Sequence, residues 1–124
     1  MRKKRILLID DERDLSLLLK LNLERTGVYE VMVQNQPTQA LDSAKRFKPD
    51  LILLDVIMPQ VSGLEVAAQV RAHEELKRIP IIFLTASLRK QDEELDESPF
   101  HDCPIILKPA TPAQVIACIE QQLI

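Results

Sequence analysis

Four short segments of the chain are apolar at every position, and they constrain the fold more than any other feature. They are residues 6–9, 51–54, 81–84 and 105–107. A strand with one wet face alternates apolar and polar side chains, whereas a parallel strand sandwiched between helices does not. We therefore predict that these segments are strands covered on both faces. A weaker strand candidate, residues 29–33, does alternate, as expected near the edge of a sheet.

Longer amphipathic segments separate these runs, and their apolar spacing predicts five helices. Their approximate ranges are residues 13–25, 38–48, 62–76, 88–97 and 111 onwards. Gly27, just after the first range, is typical of a helix end. Ser62 with Glu65, and Thr111 with Gln114, have the spacing of helix-capping pairs. Each helix candidate follows a strand candidate, which fixes the order of elements along the chain.

Five repeats of strand then helix predict an α/β fold, a doubly wound five-stranded parallel sheet in one domain over residues 1–124. Sixteen Lys and Arg against nineteen Asp and Glu give a formal net charge of −3. Without a basic excess, we expect no direct contact with nucleic acid. The two cysteines and the lack of a secretory signal indicate a cytoplasmic location. The apolar runs are too short to cross a membrane.

Polar side chains follow four of the apolar runs, at the point where each predicted strand ends. They are Asp10 and Asp11, Asp55, Thr85, and Lys108. The carboxyl ends of parallel strands meet at one edge of the sheet, where ligands bind in this class of fold. We therefore expect these five residues to form one pocket.

Three carboxylates in one pocket repel one another unless a cation offsets their charge. A hard cation such as Mg²⁺ accepts oxygen ligands of this kind. A lysine ammonium and a threonine hydroxyl suit the oxygens of a phosphoryl group, so the set as a whole is suited to in-line phosphoryl transfer. Asp55, central in the row, is the candidate nucleophile and would form an acyl phosphate.

The sequence resembles the receiver domains of two-component response regulators over essentially its whole length. The resemblance is carried by four motifs: Ile9-Asp10-Asp11-Glu12, Leu54-Asp55-Val56-Ile57-Met58-Pro59 followed by Gly63, Leu84-Thr85-Ala86, and Lys108-Pro109. It implies a flavodoxin-like sheet of order 2-1-3-4-5 and a cis peptide bond before Pro109. It also implies a switch that catalyses only its own phosphorylation and dephosphorylation and is not otherwise an enzyme.

The resemblance assigns roles to individual residues. Asp55 would accept a phosphoryl group from a histidine kinase or phosphotransfer protein. Asp10, Asp11, Asp55 and the backbone carbonyl of Ile57 would hold Mg²⁺ or Mn²⁺. The other two pocket residues, Thr85 and Lys108, would contact the phosphoryl group. The output would be an unidentified downstream protein, with scope for a phosphorylation-dependent dimer.

Some residues depart from the family pattern on the side that carries its output. Ile105 stands where an aromatic switch residue is usual, so the switch pair would be Thr85 and Ile105. The segment 98–104 is atypical, and Ala110 replaces a common phenylalanine. These departures keep open an alternative function, a phosphate-independent protein-docking module on the same fold.

The first helix is rich in leucine, and its wheel allows two interpretations. One side of the wheel carries Leu15, Leu18, Leu19 and Leu23, while Leu17 and Leu21 lie on another. Either all of them form one broad buried stripe, or Leu17 and Leu21 form an exposed patch on which a kinase docks.

Overall fold

A computed structural model of the chain describes residues 2–86, 100 and 102–123. The fourth predicted helix, about residues 88–97, lies outside the described residues, as do residues 98, 99 and 101 of the segment 98–104. No helix within the described ranges is long and apolar enough to cross a membrane.

Five parallel strands form one sheet of order β2-β1-β3-β4-β5, which confirms the expected topology. The strands are β1 (Lys4–Ile9), β2 (Tyr29–Gln34), β3 (Leu51–Asp55), β4 (Ile81–Ala86) and β5 (Ile105–Lys108). The alternating segment predicted near an edge is the edge strand β2. The only non-sequential neighbours, β1 and β3, lie where the winding reverses, and ligand crevices form at such points.

Helices follow β1, β2, β3 and β5. They are α1 (Arg13–Arg25), α2 (Ala40–Phe47, after a 3₁₀ turn at Pro37–Gln39), α3 (Gly63–Ala72) and α4 (Pro112–Gln122). Both capping predictions are confirmed. The Ser62 hydroxyl accepts a hydrogen bond from the Glu65 amide, and Thr111 and Gln114 form a reciprocal capping box. Gly27 follows α1 with φ of +82°, a left-handed conformation that glycine adopts without strain.

The third helix is shorter than the sequence predicts. It ends at Ala72 because His73 turns to an extended conformation, whereas the apolar pattern continues to Leu76. Leu76 is buried, but it reaches the core from a turn in which its amide bonds the His73 carbonyl. A turn can bury a side chain as well as a helix can, so periodicity alone misplaced this end.

The sheet divides the interior into two apolar clusters, one on each face. Along β1, Leu7 and Ile9 pack into one cluster while Ile6 and Leu8 pack into the other. All four side chains are fully buried, as are those of residues 51–54 in β3. The prediction of strands covered on both faces is thus confirmed for the centre of the sheet.

The same prediction is wrong for β5. Ile106 is buried, but Ile105 is 40% exposed and Leu107 is 52% exposed. The reason is position: β5 is an edge strand, paired only with β4, and Ile106 packs against the cluster that contains Val115 and Ile119 of α4. An apolar run does not reveal whether a strand is central or at an edge.

The first interpretation of α1, a single broad stripe of buried leucines, is also wrong. The buried residues of this helix are Ser16 and Leu23, with Leu19 half-buried, whereas Leu15 and Leu18 are exposed. Ser16 occupies the centre of the buried face because its hydroxyl donates to the Arg13 carbonyl, 3.0 Å away, which satisfies the polar group locally. Leu17 and Leu21 are half-exposed, as the docking interpretation requires.

Candidate functional site

The candidate site lies at the carboxyl edge of the sheet. Asp10 directly follows β1, Asp55 is the last residue of β3, and Lys108 is the last residue of β5. Thr85 lies next to last in β4, one residue beyond Leu84, which pairs with Asp55. The parallel register therefore brings residues that are far apart in the sequence to one end of the molecule.

Three carboxylates form a cluster at this edge. Asp10, Asp11 and Asp55 each offer an oxygen, and these oxygens all lie within 4.8 Å of one another. Asp10 and Asp55 are buried, while Asp11 is half-buried at the rim. Convergent carboxylate oxygens with one open side fit Mg²⁺, which takes hard oxygen ligands and keeps several waters.

Lys108 reaches into the same cluster. Its ammonium lies 2.7 Å from Asp10 Oδ2 and 3.4 Å from Asp55 Oδ2, and 3.2 Å from Glu12 Oε1 at the surface. The lysine side chain is 20% exposed, so these ion pairs are shielded from most of the solvent. The ammonium thus lies beside the central aspartate, as one shared pocket requires.

The electrostatics of the pair suit a nucleophile at neutral pH. Burial, with a further contribution from the charge of Asp10, raises the pKa of Asp55 to about 6, although the Lys108 ammonium works against this rise. Burial lowers the pKa of Lys108, but its hydrogen bond to Asp10 and the nearby carboxylates outweigh that effect and raise the pKa overall. At pH 7 Asp55 is mostly ionised and Lys108 is a cation.

The turn after β3 holds Asp55 in place by close backbone packing. The Gly63 amide donates to the Val56 carbonyl at 2.8 Å. A Cβ on Gly63 would overlap the Asp55 carbonyl oxygen and lie 2.8 Å from Val56 Cα. Within the turn, the Ile57 amide donates to Asp55 Oδ1 at 3.3 Å. The start of α3 can approach the end of β3 this closely only because residue 63 has no side chain.

The remaining predicted residues have more varied settings. Thr85 is buried, and its hydroxyl donates to the Ala86 carbonyl at 3.1 Å. The Ile57 side chain is exposed, and Ile105 lies exposed on the edge strand. The Lys108–Pro109 peptide bond is cis, as the family resemblance implies.

An apolar groove of about 370 Å³ opens beside Lys108, between α1 and α4. Its apolar lining includes Leu15, Leu18, Leu19, Ala110, Pro112 and Val115. Leu17 does not belong to this groove and instead lines a separate cleft along α1 and the edge strand β2. The exposed residues Leu15 and Leu18 therefore border one surface of α1, and Leu17 borders another.

Two residues that the sequence reasoning gave no role contact the site. Glu12 pairs with Lys108, and its amide donates to Asp10 Oδ1 at 2.9 Å. Asn35 donates from its side-chain amide to the Asp10 carbonyl. The place of Glu12 directly after two site aspartates could have indicated its role. Nothing local marks Asn35, which meets Asp10 only because β1 and β2 are paired.

Comparison with known proteins gives consistent results. A family model described as the response regulator receiver domain matches residues 6–120. The alkaline phosphatase synthesis transcriptional regulatory protein PhoP of Bacillus subtilis is 44% identical over 94 residues, which cover 76% of this chain and 36% of that protein. The chain therefore spans about a third of that relative. The polar-differentiation response regulator DivK of Brucella ovis is 40% identical over 91 residues, 73% of each protein.

Solved structures with the same fold cover nearly the whole chain. The receiver domain of the sensor histidine kinase PA1611 from Pseudomonas aeruginosa, with a magnesium ion in its active site cleft, has a TM-score of 0.84 and 27% identity, covering 98% of both chains. The chemotaxis protein CheY4 of Vibrio cholerae has a TM-score of 0.85 and 24% identity, covering 96% of this chain and 98% of its own. The similarity to CheY4 concerns the fold alone.

Proposed function

This chain belongs to the family of response regulator receiver domains, and from that premise we propose that it is a phosphorylation-activated switch with Asp55 as the phosphoacceptor. Receiver domains are signalling switches rather than classical enzymes. The donor would be a histidine kinase or a phosphotransfer protein of a two-component system. The only reactions catalysed would be phosphorylation and dephosphorylation of the domain itself.

The observation that carries this proposal is a buried, mostly ionised carboxylate, Asp55, that lies 3.4 Å from a partly buried ammonium and within 4.8 Å of two further carboxylates. In the transfer, an Asp55 carboxylate oxygen forms a bond to phosphorus while the bond from phosphorus to the donor breaks, and the donor keeps its electron pair. Lys108 would then leave its carboxylate partners for a phosphoryl oxygen, and the Thr85 hydroxyl would donate to another.

Asp10, Asp11 and Asp55, with the backbone carbonyl of Ile57, would hold Mg²⁺, or Mn²⁺ in its place. Receiver domains bind Mg²⁺ in an acidic pocket, and the three convergent carboxylates supply the oxygen donors that it accepts. When bound, the ion would stabilise negative charge on the transferring phosphoryl group. Asp11, nearest to solvent, would be the ligand at the open side.

We assign the outgoing signal to Thr85 and Ile105. Two states differing at Thr85 would be biased by its new contact with the phosphoryl group. Ile105 is partly exposed on the edge strand beside Phe83 of β4, so a change in its packing would reach the surface. An unidentified downstream protein, or a second copy of the chain, would read that surface.

The test is incubation with acetyl phosphate and Mg²⁺, with wild type beside Asp55→Asn and Asp42→Asn. Asp42 is a surface residue of α2 that pairs only with Arg46 among the described residues, so it controls for the loss of one carboxylate. We expect a mass gain of one phosphoryl group in wild type and Asp42→Asn, reversed by hydroxylamine, and none in Asp55→Asn. A wild-type protein that gains no phosphoryl group would support the phosphate-independent docking module instead.

A further inference from the structure

The loop that carries the acidic cluster is tied to the edge strand of the sheet. The last main-chain bond from this loop to β2 runs from the Asp10 amide to the Gln34 carbonyl at 3.2 Å. Beyond it, the Asn35 side chain continues the pairing, because its Nδ2 donates to the Asp10 carbonyl at 2.6 Å. A side chain thus takes the place of the main-chain partner that β2 no longer supplies.

Both protons of the Asn35 amide nitrogen have partners. The second is donated to Ser16 Oγ at 3.0 Å, and the Ser16 hydroxyl in turn donates to the Arg13 carbonyl. A main-chain carbonyl only accepts hydrogen bonds, so the nitrogen of the Asn35 amide, and not its oxygen, must face Asp10. Residue 35 therefore needs a donor with two protons that links the loop to the first turn of α1.

Asp11 depends on this loop more than its neighbours do. Asp10 and Asp55 are buried and paired with Lys108. Among the described residues, no hydrogen bond or ion pair holds the Asp11 carboxylate. Its position follows from its backbone, and the peptide plane that leads into Asp11 contains the Asp10 carbonyl that Asn35 holds.

We propose that Asn35 is a positioning residue for the metal site, which acts by fixing the Asp10–Asp11 peptide so that the Asp11 carboxylate faces Asp10 and Asp55. The inference rests on the proposed function, since it concerns Mg²⁺ binding by this cluster. Outer partners that orient metal ligands typically change metal affinity by roughly 10–100-fold when removed.

The test compares Asn35→Leu with Gln34→Ala. Leucine has nearly the shape of asparagine but lacks its donor. Gln34 is the matched control because its side chain also holds the end of β2, but through Ser43 and the Gln36 amide on the α2 side. In titration calorimetry with MgCl₂, we expect the dissociation constant to rise roughly tenfold in Asn35→Leu and to stay within about twofold in Gln34→Ala. Asn35→Ala repeats the test if the leucine variant does not fold.

A second readout needs no metal. In EDTA, hydrogen exchange at the Glu12 amide, which donates to Asp10 Oδ1 in the same loop, should accelerate in the Asn35 variants and not in Gln34→Ala, at similar global stability. An unchanged Mg²⁺ dissociation constant in the Asn35 variants, or an equal rise in the control, overturns the positioning role. Failure of the wild-type protein to bind Mg²⁺ overturns the proposed function instead, and unchanged exchange at the Glu12 amide would still overturn the role of Asn35.

Discussion

At the scale of single residues, burial of the charged Asp55 carboxylate lowers the free energy of unfolding of the metal-free protein. A carboxylate with an ordinary pKa near 3.8 is held in the fold at a pKa of about 6, because burial disfavours its charged form. Between about pH 4 and pH 6 the unfolded chain therefore releases the Asp55 proton before the folded chain does. The stability of the metal-free protein should fall as the pH rises through this window, and the loss should be complete by pH 7.

Replacing Asp55 by asparagine should therefore stabilise the metal-free protein at pH 7. Asparagine carries no charge, and its side-chain oxygen can still accept from the Ile57 amide. A two-unit difference in pKa sets an upper limit of about 3 kcal/mol on the gain, which should vanish near pH 4. Urea unfolding in EDTA, followed by circular dichroism at several pH values, measures this difference.

The surface variant Asp42→Asn is the reference for this experiment. Its partner Arg46 is exposed, so the change should alter the free energy of unfolding by less than about 1 kcal/mol at every pH. If Asp55→Asn were less stable than wild type at pH 7, or its advantage independent of pH, burial of the charge would not be the cause.

The site residues at the ends of apolar runs were predictable from the sequence, whereas Asn35, which supports one of them, was not. Asp10, Asp55 and Lys108 each end a recognisable strand, and parallel strands end at one edge, so their meeting follows from the pattern. Asn35 lies in a linker, and its contact with the Asp10 carbonyl depends on the register of β1 against β2. Register is a property of the folded sheet, and no local spacing encodes it.

At the scale of elements, sequence periodicity identified the strands but not their surroundings. The runs in β1, β3 and β5 have the same apolar character, yet two residues of β5 are substantially exposed because that strand pairs on one side only. On α1 the helical wheel offered a buried stripe of leucines, whereas the observed buried face is centred on Ser16. The Ser16 hydroxyl is satisfied by a hydrogen bond within the helix. Burial is decided by packing partners, which lie elsewhere in the chain.

The exposed leucines of α1 lead to a prediction about phosphotransfer. Leu17→Ala and Leu21→Ala should slow phosphorylation by a partner protein, because an apolar helix face loses contact area. Leu15→Ala and Leu18→Ala should slow it more, by roughly tenfold for a central contact, because they line the groove that reaches Lys108. Phosphorylation by acetyl phosphate should stay unchanged in all four, since none of them belongs to the carboxylate cluster or to its ion pairs with Lys108.

The measurement is the rate of phosphoryl transfer from a purified phosphorylated kinase or phosphotransfer protein that acts on wild type. Equal slowing with acetyl phosphate would mean that the substitutions disturb the site itself. If all four variants accepted the phosphoryl group from the partner at the wild-type rate, α1 would not be part of the docking surface.

Replacing the two glycines of the chain by alanine should lower the stability by different amounts, because only Gly63 lies at the junction of β3 and α3. Gly27→Ala meets no atom within 4 Å and should lose about 1 kcal/mol from its positive φ alone. Gly63→Ala forces the start of α3 away from Asp55 and Val56, and overpacking of this kind costs about 1–3 kcal/mol or more. Unfolding titrations should rank Gly63→Ala as the less stable variant.

A functional readout separates the two glycine variants further. Gly63→Ala should also weaken Mg²⁺ binding, because the backbone that moves is that of Asp55, while Gly27→Ala should bind as wild type does. If Gly63→Ala kept both wild-type stability and Mg²⁺ affinity, the close approach of the two elements would have no importance for the site.

At the scale of the whole molecule, the site lies at the carboxyl edge of the sheet, where charged residues from three parts of the chain meet. The sheet lies between two clusters, and the acidic edge is where β1, β3 and β5 contribute side chains to one set of ion pairs. Mg²⁺ held there by Asp10, Asp11 and Asp55 would link the loop after β1 to the end of β3. Binding to this edge should therefore stabilise the folded domain as a unit, since the unfolded chain has no such cluster.

Mg²⁺ should accordingly raise the unfolding temperature of the entire domain in one transition. At a free concentration ten times the dissociation constant, the gain is RT ln 11, about 1.4 kcal/mol, or roughly 4–8 °C for a domain of this size. Asp11→Asn should not lower the metal-free melting temperature, because its carboxylate has no bonding partner among the described residues and lies close to two like charges, and it should lose most of the Mg²⁺-dependent rise. Scanning calorimetry in EDTA and in MgCl₂, with NaCl at matched ionic strength, measures both quantities. An equal rise in Asp11→Asn and wild type would mean that the ion acts on the surface charge of the molecule and not through the three-carboxylate cluster.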